Sequence, residues 1–367
     1  MNRRWICNDV WMDILPCFDH DQLGLKLALL SPRFNALVDK HFDGKSELTI
    51  WRQIAICKRI IETKPKLTVL FDDKIVEFPL PDDRPLPSKI RFKFFLIDYI
   101  DHSVIAFLRL NHQFWDRRGT DLHLLIPSSP HTTDDRQPIW DVFVYEIWPI
   151  FSTNIHHLGF SRRDHLDNLR LRTSSTILTD LNQLVSIDSH DLLPESFGVD
   201  FDVPNGTISA GQALSKWLHS PRKDGQPKRL GCEDYNEQTD IDWVNNFKEH
   251  FLRANAISSV NYEIHFTVYA PSMQMVPFEL VNEWTKEKLT LAKENENDLK
   301  NWIMKRCKII GETAAVQQQK KDENYNNVFF CLFSGTNCIG PLSPPPEEVE
   351  EEEAGQSITK GASSADK

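Results

Sequence analysis

From about Lys89 to Tyr269 the chain repeats one local pattern. A short alternating or apolar run is followed by a longer run with helical spacing. The runs "IRFKFFLIDYI", "TDLHLLI", "IHHLGF", "LVSIDS", "PKRLGC" and "VNYEIHFTVY" read as strands. Between them, "DHSVIAFLRLNHQFWDRRG", opened by Asp101, "QPIWDVFVYEIWPIF", a region reaching Leu184, "SAGQALSKWLHS" and "DIDWVNNFKEHFLRANA" read as helices. The strands begin near residues 90, 121, 155, 185, 228 and 260, about 30 to 43 residues apart. Alternating β and α units predict an α/β fold, a parallel sheet covered by helices. The sustained period favours a leucine-rich-repeat-like solenoid, although the strict leucine signature of such repeats is absent. A doubly wound or closed α/β domain is the competing reading.

The flanks differ from this body. Residues 58–88 hold strand-and-turn sequence, with Pro65, Pro79, Pro81, Pro85 and Pro87 as breaks. After Tyr269, "MQMVPFELVNEWTKEKLTL" predicts a hairpin turning near Asn282 to Lys286, and "LKNWIMKRCKI" is a last helix or strand. Residues 317–367 turn polar and end in a proline run and an acid run. That composition buries too little apolar surface to offset chain entropy, so a mostly disordered tail is expected, with "VFFCLF" as a segment able to dock. The expected divisions are therefore 1–57, a helical module; 58–88, a linker or strand/turn region; 89–316, the α/β body; and 317–367, the tail.

The formal charge of −11 argues against broad binding to nucleic acid or an anionic membrane surface. Much of it is local: from Pro341 onward seven acids face two lysines, a net of −5. No run approaches the ~18 apolar residues of a membrane span, and no apolar core follows the first arginines. Seven scattered cysteines without a CxxC pair fit reduced thiols, so a cytoplasmic or nuclear location is expected.

Residues 5 to about 57 read as short helices. Asn8 or Asp9 can cap a first helix carrying Val10, Ile14 and Phe18, ended irregularly by Pro16. Asp19 and Gln22 have capping-box spacing before a second helix with Leu23, Leu27 and Leu30 on one stripe. Leu25 and Leu29 lie off that stripe, so this helix is apolar on more than one face. Ser31 and Pro32 suit the cap and first turn of a third helix, with Phe34, Leu37 and Val38 at helical spacing. Some 50 residues approach the lower limit for an independent core. The second apolar face must meet either a partner or the rest of the chain.

The stretch "ICNDVWMDILPCFDHDQLGLKLALLSPRFNALVDKHF", followed by "ELTIWRQIAI", resembles the F-box, the helical module that docks substrate receptors onto the Skp adaptor of SCF ubiquitin ligases. The matching positions are Ile6, Asp9, Val10, Ile14, Leu15, Phe18, Leu23, Leu27, Ser31, Phe34, Val38 and Trp51. Cys7 stands where the family has its opening proline. "SPRFNALVDKHF" is similar to F-boxes of families expanded in nematodes, and "ILTDLNQLVSI", "AGQALSKWLHSPRKDGQPKRL" and "FELVNEWTKEKLTL" look like the bodies of such proteins. The resemblance implies an adaptor interface through Ile6, Val10, Ile14, Leu15, Phe18, Leu23, Leu27, Leu30, Phe34 and Val38. It also implies a cullin reached through the adaptor, a protein substrate held by the body, and neither cofactor nor metal.

Other constellations are weaker. His156, His157 and His165 lie near Asp164, but adjacent strand residues point to opposite faces, so His156 and His157 do not easily share a metal. Structural histidines are expected. Arg222, Lys223, Lys228 and Arg229 cluster around Asp224-Gly225, a solvated loop or a site for an acidic segment. Trp115, Trp140, Trp148, Trp217 and Trp243 fall on helical patterns and read as core. No nucleophile motif, phosphate loop or carboxylate pair names an active site. The leading function is thus a non-catalytic substrate receptor. The rival is a ubiquitin-independent scaffold whose N-terminal helices cap the α/β body; an enzyme is the third class.

Overall fold

A computed structural model describes residues 6–19, 22–43, 48–58, 63–71, 74–80, 85–87, 90–112, 115, 119–126, 137–190, 192–195, 208–233, 237–255, 260–268, 275–295 and 300–309. The expected disordered tail, with "VFFCLF", lies outside them.

The chain is mixed α/β around one twelve-stranded sheet. The strands are β1 (Leu48–Cys57), β2 (Lys66–Phe71), β3 (Lys74–Pro79), β4 (Ile90–Ile97), β5 (Thr120–Leu124), β6 (Ile155–Phe160), β7 (Ser186–His190), β8 (Lys228–Glu233), β9 (Tyr262–Thr267), β10 (Phe278–Asn282), β11 (Glu287–Lys293) and β12 (Asn301–Lys308). Their order across the sheet is β10-β11-β12-β9-β8-β7-β6-β5-β4-β1-β2-β3. The middle run from β1 through β4 to β9 is parallel throughout. Antiparallel strands close both ends. From β4 to β9 successive strands in the chain lie side by side. The order does not reverse within that run; it reverses at β1, which has β2 on one side and β4 on the other. Right-handed crossovers in one direction place their helices on one face.

That face is marked by a row of twelve apolar residues, one per strand, in direct register. It runs Val76, Val69, Ile54, Phe95, Leu122, Leu158, Ile187, Leu230, Ile264, Met304, Leu291 and Phe278. Nine of the central members, Val69 through Met304, are at most 1% exposed. The row persists because side chains alternate along every strand, so matched register stacks like phases. Trp115, Trp140, Trp148, Trp217 and Trp243 are all buried around it, as their spacing predicted.

The helices between strands follow their local signals. Asp101 caps α4 (His102–Leu110), its carboxylate accepting the Val104 N–H at 3.0 Å. Ser209 and Gln212 form a complete capping box on Ala210–His219. The "QPIWDVFVYEIWPIF" helix contains a π-turn at Phe143–Ile147, which its spacing did not foretell. The hairpin near 282–286 is present, and "LKNWIMKRCKI" supplies β12, a strand.

One expectation is corrected. Residues 48–57 are not helical. They form β1, which pairs with β4 in parallel and with β2 antiparallel. The helical module therefore ends at α3 (Pro32–Phe42), and the sheet begins before residue 58.

Candidate functional site

Two surfaces carry candidate chemistry. The first is the N-terminal set of helices: α1 (Asn8–Ile14), α2 (Ala28–Leu30, entered through a π-turn at Leu23–Leu27) and α3. Ser31 caps α3, accepting the Phe34 N–H at 3.3 Å, with Pro32 at the first helical position. Asn8 and Asp9 do not cap α1; its cap position is Cys7, with no side-chain bond. Asn8 instead accepts two bonds from the Arg33 guanidinium, at 3.0 and 2.8 Å, and Arg33 also donates to the Ile6 carbonyl at 2.6 Å. These bonds fasten α1 to α3, and the edge of Trp11 packs on Phe34 at 4.8 Å. The expected Asp19–Gln22 capping box belongs to a helix start that lies outside the described residues.

The ten residues expected at an adaptor interface divide by burial. Leu15, Leu23, Leu27 and Val38 are buried inside the chain, in one apolar cluster with Ala28, Leu37, Phe42 and strand residues such as Ile54 and Ile56. They are fold residues, and a rigid partner does not reach them. Ile14, Phe18 and Phe34 are partly buried. Ile6, Val10 and Leu30 face solvent, Leu30 with 68% of its surface exposed. Trp51 falls in β1, and its side chain and those of Leu25 and Leu29 lie outside the described residues.

The second surface is the sheet face opposite the apolar row. Two polar rows run across it in register. One contains Asp121, His157, Ser186, Arg229, Glu263 and Lys305. The other contains His123, Gly159, Asp188, Gly231 and His265. This second row alternates side chain with glycine. A Cβ on Gly159 would meet His123 Nδ1 at 2.0 Å, and one on Gly231 would meet Asp188 Oδ1 at 2.3 Å. His123 and Asp188 therefore lean over the adjacent strands, which only glycine permits.

Around Gly159 three donors converge. The rings of His123 and His157 stack at 4.7 Å between centroids. His157 Nδ1 meets Ser186 Oγ at 2.5 Å, and its Nε2 lies 3.3 Å from Asp188 Oδ2. Ligand atoms of His123, His157 and Asp188 all lie within 4.8 Å of one another. Beside them a buried ion pair joins Lys93 to Asp121 at 2.9 Å, and Lys93 also donates to the Gly119 carbonyl at 2.8 Å.

Burial and charge set the protonation states. Burial, reinforced by the neighbouring His157, pushes His123 down to about 3, leaving it neutral. Burial also works against a charge on His157, but Asp188 outweighs it and raises the imidazole above its ordinary value. Burial raises the Asp188 carboxyl, yet His157 overrides this and pushes it down to about 2. Farther along the face, burial opposes a charge on His265, and bonds to Glu263 and Glu294 reverse that.

The order Ser186, His157, Asp188 has the composition of a serine-hydrolase relay. Ser186 lies inside a ladder, however, with β7 paired on both sides. It is not on the strand-to-helix turn that exposes such a nucleophile, and the N–H groups around it are engaged in pairing. The geometry suits ligand or ion binding better than acyl transfer.

The sequence-named residues scatter. His156 points away from His157, and burial pushes it down to about 4. His165 is buried in the helix Arg163–Arg172 against Trp140. The basic cluster does not form one patch. Lys228 is buried, donating to the Trp217 carbonyl at 2.5 Å and Ser220 Oγ at 2.6 Å, and burial pushes it down to about 8. Arg222 pairs with Asp224, and Arg229 with Glu263. His123 and Asp188 were missed by sequence reasoning. Their signal was the shared polar phase of "TDLHL", "IHHLGF" and "SIDSH".

The chain matches no family model, no curated protein and no solved structure. Among the described residues no helix is long and apolar enough to cross a membrane.

Proposed function

We propose that the protein is a substrate-recognition subunit of an SCF-type ubiquitin ligase, docking the Skp adaptor through its N-terminal helices and a target protein through the α/β body. The carrying observation is the outward set Ile6, Val10 and Leu30 on or beside helices whose residues Leu15, Leu23, Leu27 and Val38 are already buried. Full burial of such a side chain is worth roughly 1.5–3 kcal/mol, and covering the exposed part of each contributes about half of that. Half-buried Ile14, Phe18 and Phe34 widen the same apolar contact. The body supports the reading in a second way. The sequential order of β4–β9 and their alternating faces suit a leucine-rich-repeat-like architecture, and solenoid sheets of that kind present an extended face to a partner. In this reading the chain performs no transfer itself; the cullin-bound enzymes do.

One observation favours the rival. The buried residues of the helices belong to the same apolar cluster as the strands, and Asn35 Nδ2 donates to the Pro85 carbonyl at 3.1 Å. That is how helices serving only as a cap on the sheet would sit. Co-purification of the full chain with the Skp adaptor and a cullin separates the two. Both should copurify with the receptor, and neither with a mere scaffold.

A further inference from the structure

We propose that His123, His157 and Asp188 form a binding site for a divalent transition-metal ion, Zn²⁺ or Fe²⁺ in class. The inference stands on the sheet alone and is independent of the ubiquitin reading.

Three consecutive parallel strands each contribute one donor, and the middle strand contributes Gly159 at the centre. The space a Cβ would fill there is taken by the His123 ring from β5, and a ligand atom of His123 lies within 4.8 Å of those of His157 from β6 and Asp188 from β7. Two imidazoles and one carboxylate suit zinc or iron and are poor ligands for magnesium or calcium. Tetrahedral coordination at about 2.0–2.1 Å per bond sets donor atoms roughly 3.4 Å apart. His157 Nε2 and Asp188 Oδ2 already stand at 3.3 Å. Bringing in His123, within 4.8 Å, takes a side-chain rotation above a residue that has no side chain.

The support behind the donors fits as well. A metal-bound histidine usually donates its second ring N–H to an oxygen, which fixes the tautomer. Ser186 Oγ occupies that position at 2.5 Å from His157 Nδ1, so a bound ion would displace the Nε2 proton that faces Asp188. His157 Nε2 is buried and makes no hydrogen bond of good geometry. Asp188 keeps 29% of its side chain exposed, which gives an entry path and leaves a fourth position for water. A simple imidazolium–carboxylate pair needs only His157 and Asp188. It gives no reason for a second imidazole stacked on the first across a glycine.

The test uses the untagged full chain and Co²⁺ as a spectroscopic probe, with Zn²⁺, Fe²⁺ under anaerobic conditions, and Mg²⁺ as competitors. One Co²⁺ per chain should bind with visible d–d absorption and be displaced by Zn²⁺ at lower concentration than by Fe²⁺, as the usual affinity order requires, and not by Mg²⁺. Ser186→Ala should weaken binding by about 10- to 100-fold, the range for changes behind a metal ligand, and Asp188→Asn or His157→Ala by more. His156→Ala, on the neighbouring residue, should bind as the parent does. Asp188→Asn keeps the side-chain shape, so it decides the matter even if His157→Ala fails to fold. A folded parent chain that takes up no stoichiometric Co²⁺, or an Asp188→Asn chain that binds with parental affinity, overturns the site.

Discussion

The N-terminal helices and the sheet solve the same problem in opposite ways. In the helices, Leu15, Leu23, Leu27 and Val38 are turned inward while Ile6, Val10 and Leu30 remain in water. In the sheet, every strand contributes an apolar residue to one row, buried at its centre, and the opposite face of β5–β9 is lined by polar residues and glycine. Parallel sheets are usually covered on both faces and read as continuous apolar runs. Here the alternation keeps one face for charged and hydrogen-bonding groups. The lesson concerns surface chemistry. Apolar residues in water on small helices point to a partner that covers them, whereas registered polar rows point to selective recognition of a polar group or ion.

The largest expected effect tests whether the two faces of the sheet differ as their registers imply. Phe266 is buried on the helix side, and its neighbour His265 lies on the polar face. Phe266→Asp should cost about 3–5 kcal/mol, the range for an unpaired buried charge, while His265→Gln should cost about 1 kcal/mol or less. Urea unfolding of both variants measures this. Equal losses would erase the distinction between faces.

The helices can be divided by the same logic. Leu27→Ala removes a residue buried in the cluster and should cost about 2–5 kcal/mol. Leu30→Ala removes an exposed one and should stay within about 0.5 kcal/mol of the parent. If Leu30→Ala proved the more damaging to melting temperature, Leu30 would be a core residue and the outward set would shrink.

A smaller effect, spread over pH, separates the desolvated His165 and His219 from the ion-paired His265. Burial pushes His165 down to about 4 and His219 down to about 3. The unfolded chain binds protons at these groups from about pH 6.5 downward, the folded chain only near pH 3–4. Their stabilisation is therefore full above pH 6.5 and falls by about 1.4 kcal/mol per pH unit for each as the pH drops through that window. His265, raised by Glu263 and Glu294, acts in the opposite sense: its contribution is present below pH 6.5 and is lost as the pH rises through its folded value. Melting temperatures between pH 7.5 and pH 5 should fall, and His219→Gln should flatten the fall. A curve unchanged by that substitution would place His219 in contact with water.

Much of the fold was legible in sequence because its strands alternate strictly and its helices carry strong caps, as at Asp101, Ser31 and Ser209. Residues 48–57 were misread because "LTIWRQIAIC" has Trp51, Ile54 and Ala55 at helical spacing alongside the alternation of Leu48, Ile50, Ile54 and Ile56. Pairing with β4 decides between the two patterns in the folded chain. The site around Gly159 was hidden for a different reason. His123, His157 and Asp188 are each some 30 residues from the next, and only inter-strand register brings them together. The adjacent pair His156 and His157 drew attention along one strand, when the partners lay across two others. Gly159 and Gly231 carried the remaining signal, since a glycine in a strand interior marks close approach of a neighbour.

The central claim is that the outward apolar residues of the N-terminal helices dock a Skp adaptor. A calorimetric titration of purified adaptor into the full chain tests it most directly, with Leu30→Asp and Val10→Asp as variants chosen because neither disturbs the buried cluster. The parent should bind, and each variant should bind at least about tenfold more weakly, the equivalent of 1.4 kcal/mol, with an unchanged melting temperature. An adaptor that does not bind the folded parent, or that binds both variants as tightly as the parent, would contradict the account and leave the helices as a cap on the sheet.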